Sequence, residues 1–246
     1  MTMLFKNISK NTNYYFRSLR YTWYIKYLQL FDKKIFDTNG LSKLDNPLTL
    51  FMNKFYSDKG NLNFTHNYTC FYNAIFKNLR QQKLNIFEVG LGSVDTEINF
   101  HMSYSNKNYQ PLASLKAWKE YFYNSEIYGA DVDPKILKNY DRIKTFFVDM
   151  LDEDSIKNMW VNIDKKMDII IDDGFHSFEA NINFYKNSIN FLNKDGFYII
   201  EDIHRKPINI KKFFNFFKKN NINFQIIDLK HSNNIKDNCL ILIKKN

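Results

Sequence analysis

"LNIFEVGLGS", residues 84–93, decides the fold. A short apolar run ends on Gly90 and Gly92, and glycine lets the backbone turn sharply and approach a ligand. Further apolar runs of similar length follow: "EIYGAD" (126–131), "IKTFFVD" (143–149), "MDIIID" (167–172), "GFYIIED" (196–202), "NFQIID" (223–228) and "NCLILIK" (238–244). Helix-like segments separate most of them. In "LASLKAWKEYF" (112–122), Leu112, Leu115, Trp118 and Phe122 share one face. Short apolar runs joined by helical crossovers predict an α/β domain with a mostly parallel sheet covered on both sides. Only "LKHSNNIKD" joins the last two runs, too short for a crossover helix, so they are expected to form an antiparallel hairpin at the sheet edge.

The 246 residues fit one large α/β domain with an extension. The division expected is an N-terminal helical extension over 1–55 and a single domain over 56–246. Within 13–31 an apolar stripe runs through Phe16, Leu19, Trp23, Tyr27 and Leu30. Arg17 and Arg20 lie off this stripe while Lys26 borders it, so no single basic face forms. That argues against a membrane-surface helix and for packing on the domain or on a partner subunit, hence a homo-oligomer through the extension.

Composition narrows the class. The formal net charge is +9, but the lysines are scattered and no arginine-rich block appears. Nucleic-acid binding is therefore not expected, while attraction of anionic ligands such as nucleotides is. Cys70 and Cys239 form no metal or redox motif, which fits a reduced, cytoplasmic protein. The N-terminus lacks the apolar run of a signal peptide, and no stretch is long and apolar enough to span a membrane.

In such sheets ligands bind beyond the carboxyl ends of the strands. The residues at those ends are Glu88, Gly90, Gly92, Asp131, Asp149, Asp172, Asp173, Glu201 and Asp202. The third glycine of a dinucleotide fingerprint is missing, which weighs against NAD. Asp131 is placed to accept from both hydroxyls of a ribose, while Asp133, before Pro134, is the better helix cap. Asp149 fits either an adenine amino group or a solvated strand end.

Taken together these stretches resemble class I S-adenosylmethionine-dependent methyltransferases with a Rossmann-like fold. The resemblance is closer still to the metal-dependent sugar O-methyltransferases that act on macrolide sugars and bacterial surface polysaccharides. It is carried by "DKG" (58–60), "HNY" (66–68), "EVGLG" (88–92), "ASLKAWKEYF" (113–122), "IYGADVDP" (127–134), "IDDGFH" (171–176) and "DGFYIIEDIH" (195–204), in that order. It implies transfer of a methyl group from S-adenosylmethionine to a sugar hydroxyl on a nucleotide-sugar or glycan acceptor, in capsule or surface glycan synthesis. The glycine loop with Glu88, Asp131 and Asp149 would hold the cofactor. The polar residues inserted at 93–111 depart from the pattern.

A hydroxyl is a poor nucleophile at neutral pH and must lose its proton as the methyl arrives. A divalent cation lowers its pKa and holds it in line. Asp173, Glu201 and Asp202, at the ends of adjacent expected strands, make a hard oxygen site suited to Mg²⁺ or Mn²⁺. His176 beside them has the pKa of a general base. Asp172 anchors the turn or contacts the cofactor. The resemblance assigns the same roles to Asp173, Glu201, Asp202 and His176, and places Asp58, Lys59, His66 and Tyr68 over the site; His204, which follows the acids, is placed to touch the substrate. Structural alternatives remain for each: a cap for the helix near Ser177, solvated strand ends, a structural histidine, and a capped helix after Thr65.

Overall fold

The computed structural model describes residues 35–36, 45–60, 66–99, 101–229 and 236–246. In chain order the elements are β1 (Ile35–Phe36), α1 (Pro47–Lys54), α2 (Tyr68–Phe76), β2 (Asn85–Val89), α3 (Ala113–Tyr121), β3 (Glu126–Asp131), β4 (Ile143–Phe147), α4 (Glu153–Ile163), β5 (Met167–Asp172), α5 (Phe178–Ser188), β6 (Leu192–Ile200), α6 (Pro207–Lys219), β7 (Phe224–Asp228) and β8 (Cys239–Lys244). Every apolar run singled out in the sequence forms a strand. A short 3₁₀ turn over Asp58–Gly60 precedes α2.

One eight-stranded sheet runs in the order β1-β7-β8-β6-β5-β2-β3-β4. All pairings are parallel except β6 with β8 and β7 with β8. The expected antiparallel pair is therefore present, with β1 added outside β7. β6 starts earlier than its apolar run: Leu192 pairs with Met167, and the register then shifts before Ile169 meets Phe197.

Successive side chains point to opposite faces of a strand. Phe87 and Val89 enter one layer, where Phe87 lies 4.8 Å from Trp160 of α4, ring centre to ring centre. Ile86 enters the other, with Leu115 and Trp118 of α3 and with Tyr72 and Phe76 of α2. Trp118 is fully buried, with its ring centre 5.3 Å from that of Tyr72. Truncating such a tryptophan to alanine costs about 3–5 kcal/mol.

Leu48 and Met52 of α1 are fully buried in this second layer. Part of the stretch assigned to the extension thus packs on the sheet's helices, and another part, Ile35–Phe36, pairs with β7. An amphipathic pattern shows which face is buried but not which body covers it, so the boundary after residue 55 does not coincide with a gap in packing. The stripe from Phe16 to Leu30 lies outside the described residues.

The chain's order reverses at β2, which is flanked by β3 on one side and β5 on the other. The carboxyl ends of β2 and β5 therefore border the crevice where doubly wound sheets bind ligands.

Candidate active site

A cleft of about 660 Å³ opens at those strand ends. At one end of it the chain leaves β2 through Gly90 and Gly92, with φ of +90° and +72°. Both need glycine's freedom. A side chain at Gly90 would also run into the carbonyl oxygen of Asp173, and one at Gly92 into the Tyr109 hydroxyl. Tyr109 comes from the 93–111 insertion, and its hydroxyl donates to the Gly92 carbonyl at 3.2 Å. The insertion is thus folded over the glycine loop, and Met102 and Tyr104 from it line the cleft.

Asp131 holds this loop in shape. Its Oδ2 accepts from the Leu91 N–H at 2.6 Å and its Oδ1 from the Asp133 N–H at 2.9 Å. Burial raises its carboxyl pKa, against the pull of these backbone donors. Each carboxylate oxygen keeps a second lone pair for a ligand hydroxyl. Asp133 caps the turn at Pro134, as its place in the sequence indicates. Asp149 lines the cleft and accepts from the Leu151 N–H at 2.9 Å.

Glu88 and Asp172 sit beneath the cleft rather than in its wall. Glu88 is buried and takes hydrogen bonds from Ser114 Oγ and Trp118 Nε1, each at 2.5 Å. It therefore ties β2 to α3. Asp172 is fully buried, and burial pushes its carboxyl up to about 7.

The helix after β5 is capped by Ser177, whose Oγ accepts from the Ala180 N–H at 3.2 Å. Asp172 and Asp173 are not needed for that role. Asp173 turns into the cleft, where it meets His176 and Asp202: one ligating atom from each lies within 4.8 Å of the others. His176 Nε2 is 3.7 Å from Asp202 Oδ2. The two carboxylates, with the imidazole beside them, fit a divalent cation that accepts hard oxygen donors, Mg²⁺ or Mn²⁺.

Glu201 takes a different place. It is fully buried, its Oε1 accepting from the Tyr72 hydroxyl and its Oε2 from the Lys59 ammonium. The ligand-distance cluster among the described residues holds Asp173, His176 and Asp202 without it. The reason is local: β6 ends at Ile200, and of the next two side chains Glu201 is buried against Tyr72 of α2 while Asp202 lines the cleft.

The segment before α2 and the first residue of that helix complete the site. Lys59 Nζ reaches Asp173 Oδ2 at 2.5 Å. Burial alone would lower its pKa, but Asp173, Glu201 and Glu88 hold it well above the usual lysine value. His66 Nδ1 lies 3.6 Å from Asp202 Oδ1, and its Nε2 lies 3.8 Å from Asp58 Oδ2. Tyr68 donates its hydroxyl to Asp202 Oδ1. Burial works to raise the Asp202 pKa, and the flanking His66 and His176 bring it below the ordinary aspartate value. His204 lines the cleft and is exposed.

All the residues named as site candidates thus gather at one end of the sheet, though Glu88, Asp172 and Glu201 serve under it. Tyr72, Ser114, Trp118 and Tyr109 take part without having been singled out for it. Tyr72 and Trp118 sit on apolar helix faces, and nothing in their spacing shows that a hydroxyl or indole N–H meets a buried acid.

No family model matches the chain. Over 141 residues it is 29% identical to 8-demethyl-8-alpha-L-rhamnosyl tetracenomycin-C 2'-O-methyltransferase of Streptomyces olivaceus, covering 56% of this chain and 33% of that one. Over 147 residues it is 31% identical to 8-demethyl-8-(2-methoxy-alpha-L-rhamnosyl)-tetracenomycin-C 3'-O-methyltransferase of the same organism, covering 60% and 34%. The chain spans about a third of the length of these curated relatives. Among solved structures it is similar to the MycE methyltransferase of the mycinamycin biosynthetic pathway, in complex with Mg, SAH and mycinamycin VI. The TM-score is 0.59 at 20% identity, over 82% of this chain and 55% of that one. The fold is that of a class I methyltransferase, and the resemblance drawn from the motifs to sugar O-methyltransferases is borne out.

Proposed function

We propose that the chain is an S-adenosylmethionine-dependent O-methyltransferase whose acceptor is a sugar hydroxyl. The observation that carries this reading is the placement of the Asp173–His176–Asp202 cluster beside the Gly90–Gly92 loop and Asp131, in one cleft. The glycine loop and Asp131 suit the methionine and ribose ends of the cofactor, and Asp149 the adenine. The acids and His176 suit a hydroxyl that must lose a proton.

In the reaction the acceptor oxygen attacks the sulfonium methyl. A carbon–oxygen bond forms, the sulfur–methyl bond breaks, and the sulfur keeps the electron pair as S-adenosylhomocysteine leaves. His176 takes the hydroxyl proton on its imidazole. A divalent cation held by Asp173 and Asp202 would acidify the bound hydroxyl and neutralise the developing alkoxide. Lys59 and Tyr72 hold Glu201 behind Asp173, and His66 with Tyr68 fix Asp202, so the site is preorganised rather than assembled on binding. Among the described residues no helix is long and apolar enough to cross a membrane.

The acceptor proposed is a nucleotide-activated or polysaccharide-bound sugar in bacterial surface glycan synthesis, acted on in the cytoplasm. The net charge of +9 supports a phosphate-bearing acceptor through long-range attraction. A screen of nucleotide sugars and glycosides with S-adenosylmethionine, read by mass spectrometry, tests the reading. Methylated product from a nucleotide sugar supports it, and product from non-sugar hydroxyls alone would replace it.

A further inference from the structure

Methyl transfer as described gives the Lys59 ammonium no task beyond bracing Glu201, yet it is built, buried, into the acceptor end of the site. The Lys59 side chain is 3% exposed. Its Nζ is shared by carboxylates from three strand ends: Asp173 Oδ2 at 2.5 Å after β5, Glu201 Oε2 after β6, and Glu88 Oε1 at 3.9 Å on β2. Glu88 and Glu201 have other donors as well, Ser114 with Trp118 and Tyr72 respectively. Asp173 differs. It is bound to Lys59 and is also a member of the cluster with His176 and Asp202. One carboxylate thus stands between a fixed cation and the place for a mobile one.

We propose that Lys59 is a positioning residue that sets the divalent-cation affinity of the Asp173–His176–Asp202 cluster, its ammonium competing for carboxylates that would otherwise turn to the cation. The inference rests on the metal-assisted reading of the site. Its physical basis is that charges a few ångströms apart in a water-poor pocket interact strongly. With the ammonium in place, Asp173 is partly neutralised and Glu201 is committed downward. With it removed, both carboxylates are left uncompensated beside the cluster, and a divalent ion is the nearest means of neutralising them. Such tuning would keep the cation exchangeable and its hydroxyl-activating charge high, because fewer anionic ligands surround it. Arginine would preserve the charge, whereas glutamine and methionine would not.

The test is an Mn²⁺ titration read by electron paramagnetic resonance, on the full chain stripped of metal. Wild type, K59R, K59Q and K59M are compared, with S-adenosylhomocysteine calorimetry to establish that each variant keeps the cofactor pocket. K59Q and K59M should bind Mn²⁺ at least about tenfold more tightly than wild type. K59R should stay close to wild type. Glutamine keeps a hydrogen-bond donor one bond short of the ammonium, so K59Q carries the test if K59M does not fold. A lysine that only braces the fold would alter thermal stability while leaving Mn²⁺ affinity alike in all the folded variants, and that result overturns the inference. Mn²⁺ binding by K59Q with none by wild type upholds the inference and overturns the metal-assisted reading for the native chain. Neither binding Mn²⁺ while both bind S-adenosylhomocysteine overturns both.

Discussion

His176 Nε2 stands 3.7 Å from Asp202 Oδ2, and both residues hold left-handed backbone angles, φ +51° and +54°. Residues other than glycine adopt that region at a cost of about 1–3 kcal/mol where the surroundings impose it. Here two such residues, on loops that follow different strands, face each other across the cleft. The backbone is bent to bring an imidazole and a carboxylate together.

His176→Ala and His176→Gln should bind S-adenosylhomocysteine as wild type does, because the role proposed for His176 is on the acceptor side. Single-turnover methyl transfer should fall by about 10²–10⁴-fold, the usual share of a positioned base. Near wild-type transfer in both variants would pass the role to another group, His66 or His204 first.

Asp131→Ala removes the acceptor for the Leu91 and Asp133 N–H groups, so it should loosen the glycine loop as well as the proposed ribose contact. Each hydrogen bond to a charged group contributes about 1.5–3 kcal/mol, so a loss of S-adenosylmethionine affinity of at least about tenfold is expected by calorimetry. Unchanged affinity in a folded variant would remove Asp131 from the cofactor site.

Asp172 predicts a pH signature. Burial raises its folded carboxyl to about 7. The unfolded value is about 3.9, so between the two the folded state binds more protons than the unfolded state. Its contribution to stability is full below the unfolded value and is lost as pH rises through the folded one. Asp172→Asn lacks that loss. Measured in EDTA, its stability relative to wild type should improve by up to about 4 kcal/mol between about pH 4 and pH 8. A difference that does not change with pH would contradict the buried, protonatable state.

EDTA should abolish turnover and leave S-adenosylhomocysteine binding largely intact, because the cation is proposed to serve the acceptor hydroxyl and not the cofactor, and Mg²⁺ should restore activity. Full turnover by protein shown to be metal-free would leave Asp173 and Asp202 to orient sugar hydroxyls directly.

The strands were legible because parallel strands buried on both faces are near-continuous apolar runs, as in "MDIIID". The antiparallel pair was legible from the length of its connection. β1 was not, since two residues carry no period. The site's location followed from acids at the strand ends, but the division among them did not. Glu201 and Asp202 are neighbours in sequence with opposite environments, and only the path of the chain after Ile200 separates them. The resemblance put Lys59 over the site. The structure buries it against three acids, a pairing across 114 residues from Asp173 and 142 from Glu201 that no local pattern encodes.

The most direct test of the whole account is methyl transfer itself. Wild type and His176→Ala, each with Mg²⁺ and S-adenosylmethionine, are incubated with a panel of nucleotide sugars and glycosides. Sugar product and S-adenosylhomocysteine are both quantified by mass spectrometry. The account predicts a sugar heavier by one methyl-for-hydrogen exchange, formed in equal amount with S-adenosylhomocysteine by wild type and strongly reduced in the variant. Tight cofactor binding by wild type with no methylated sugar anywhere in the panel would contradict it.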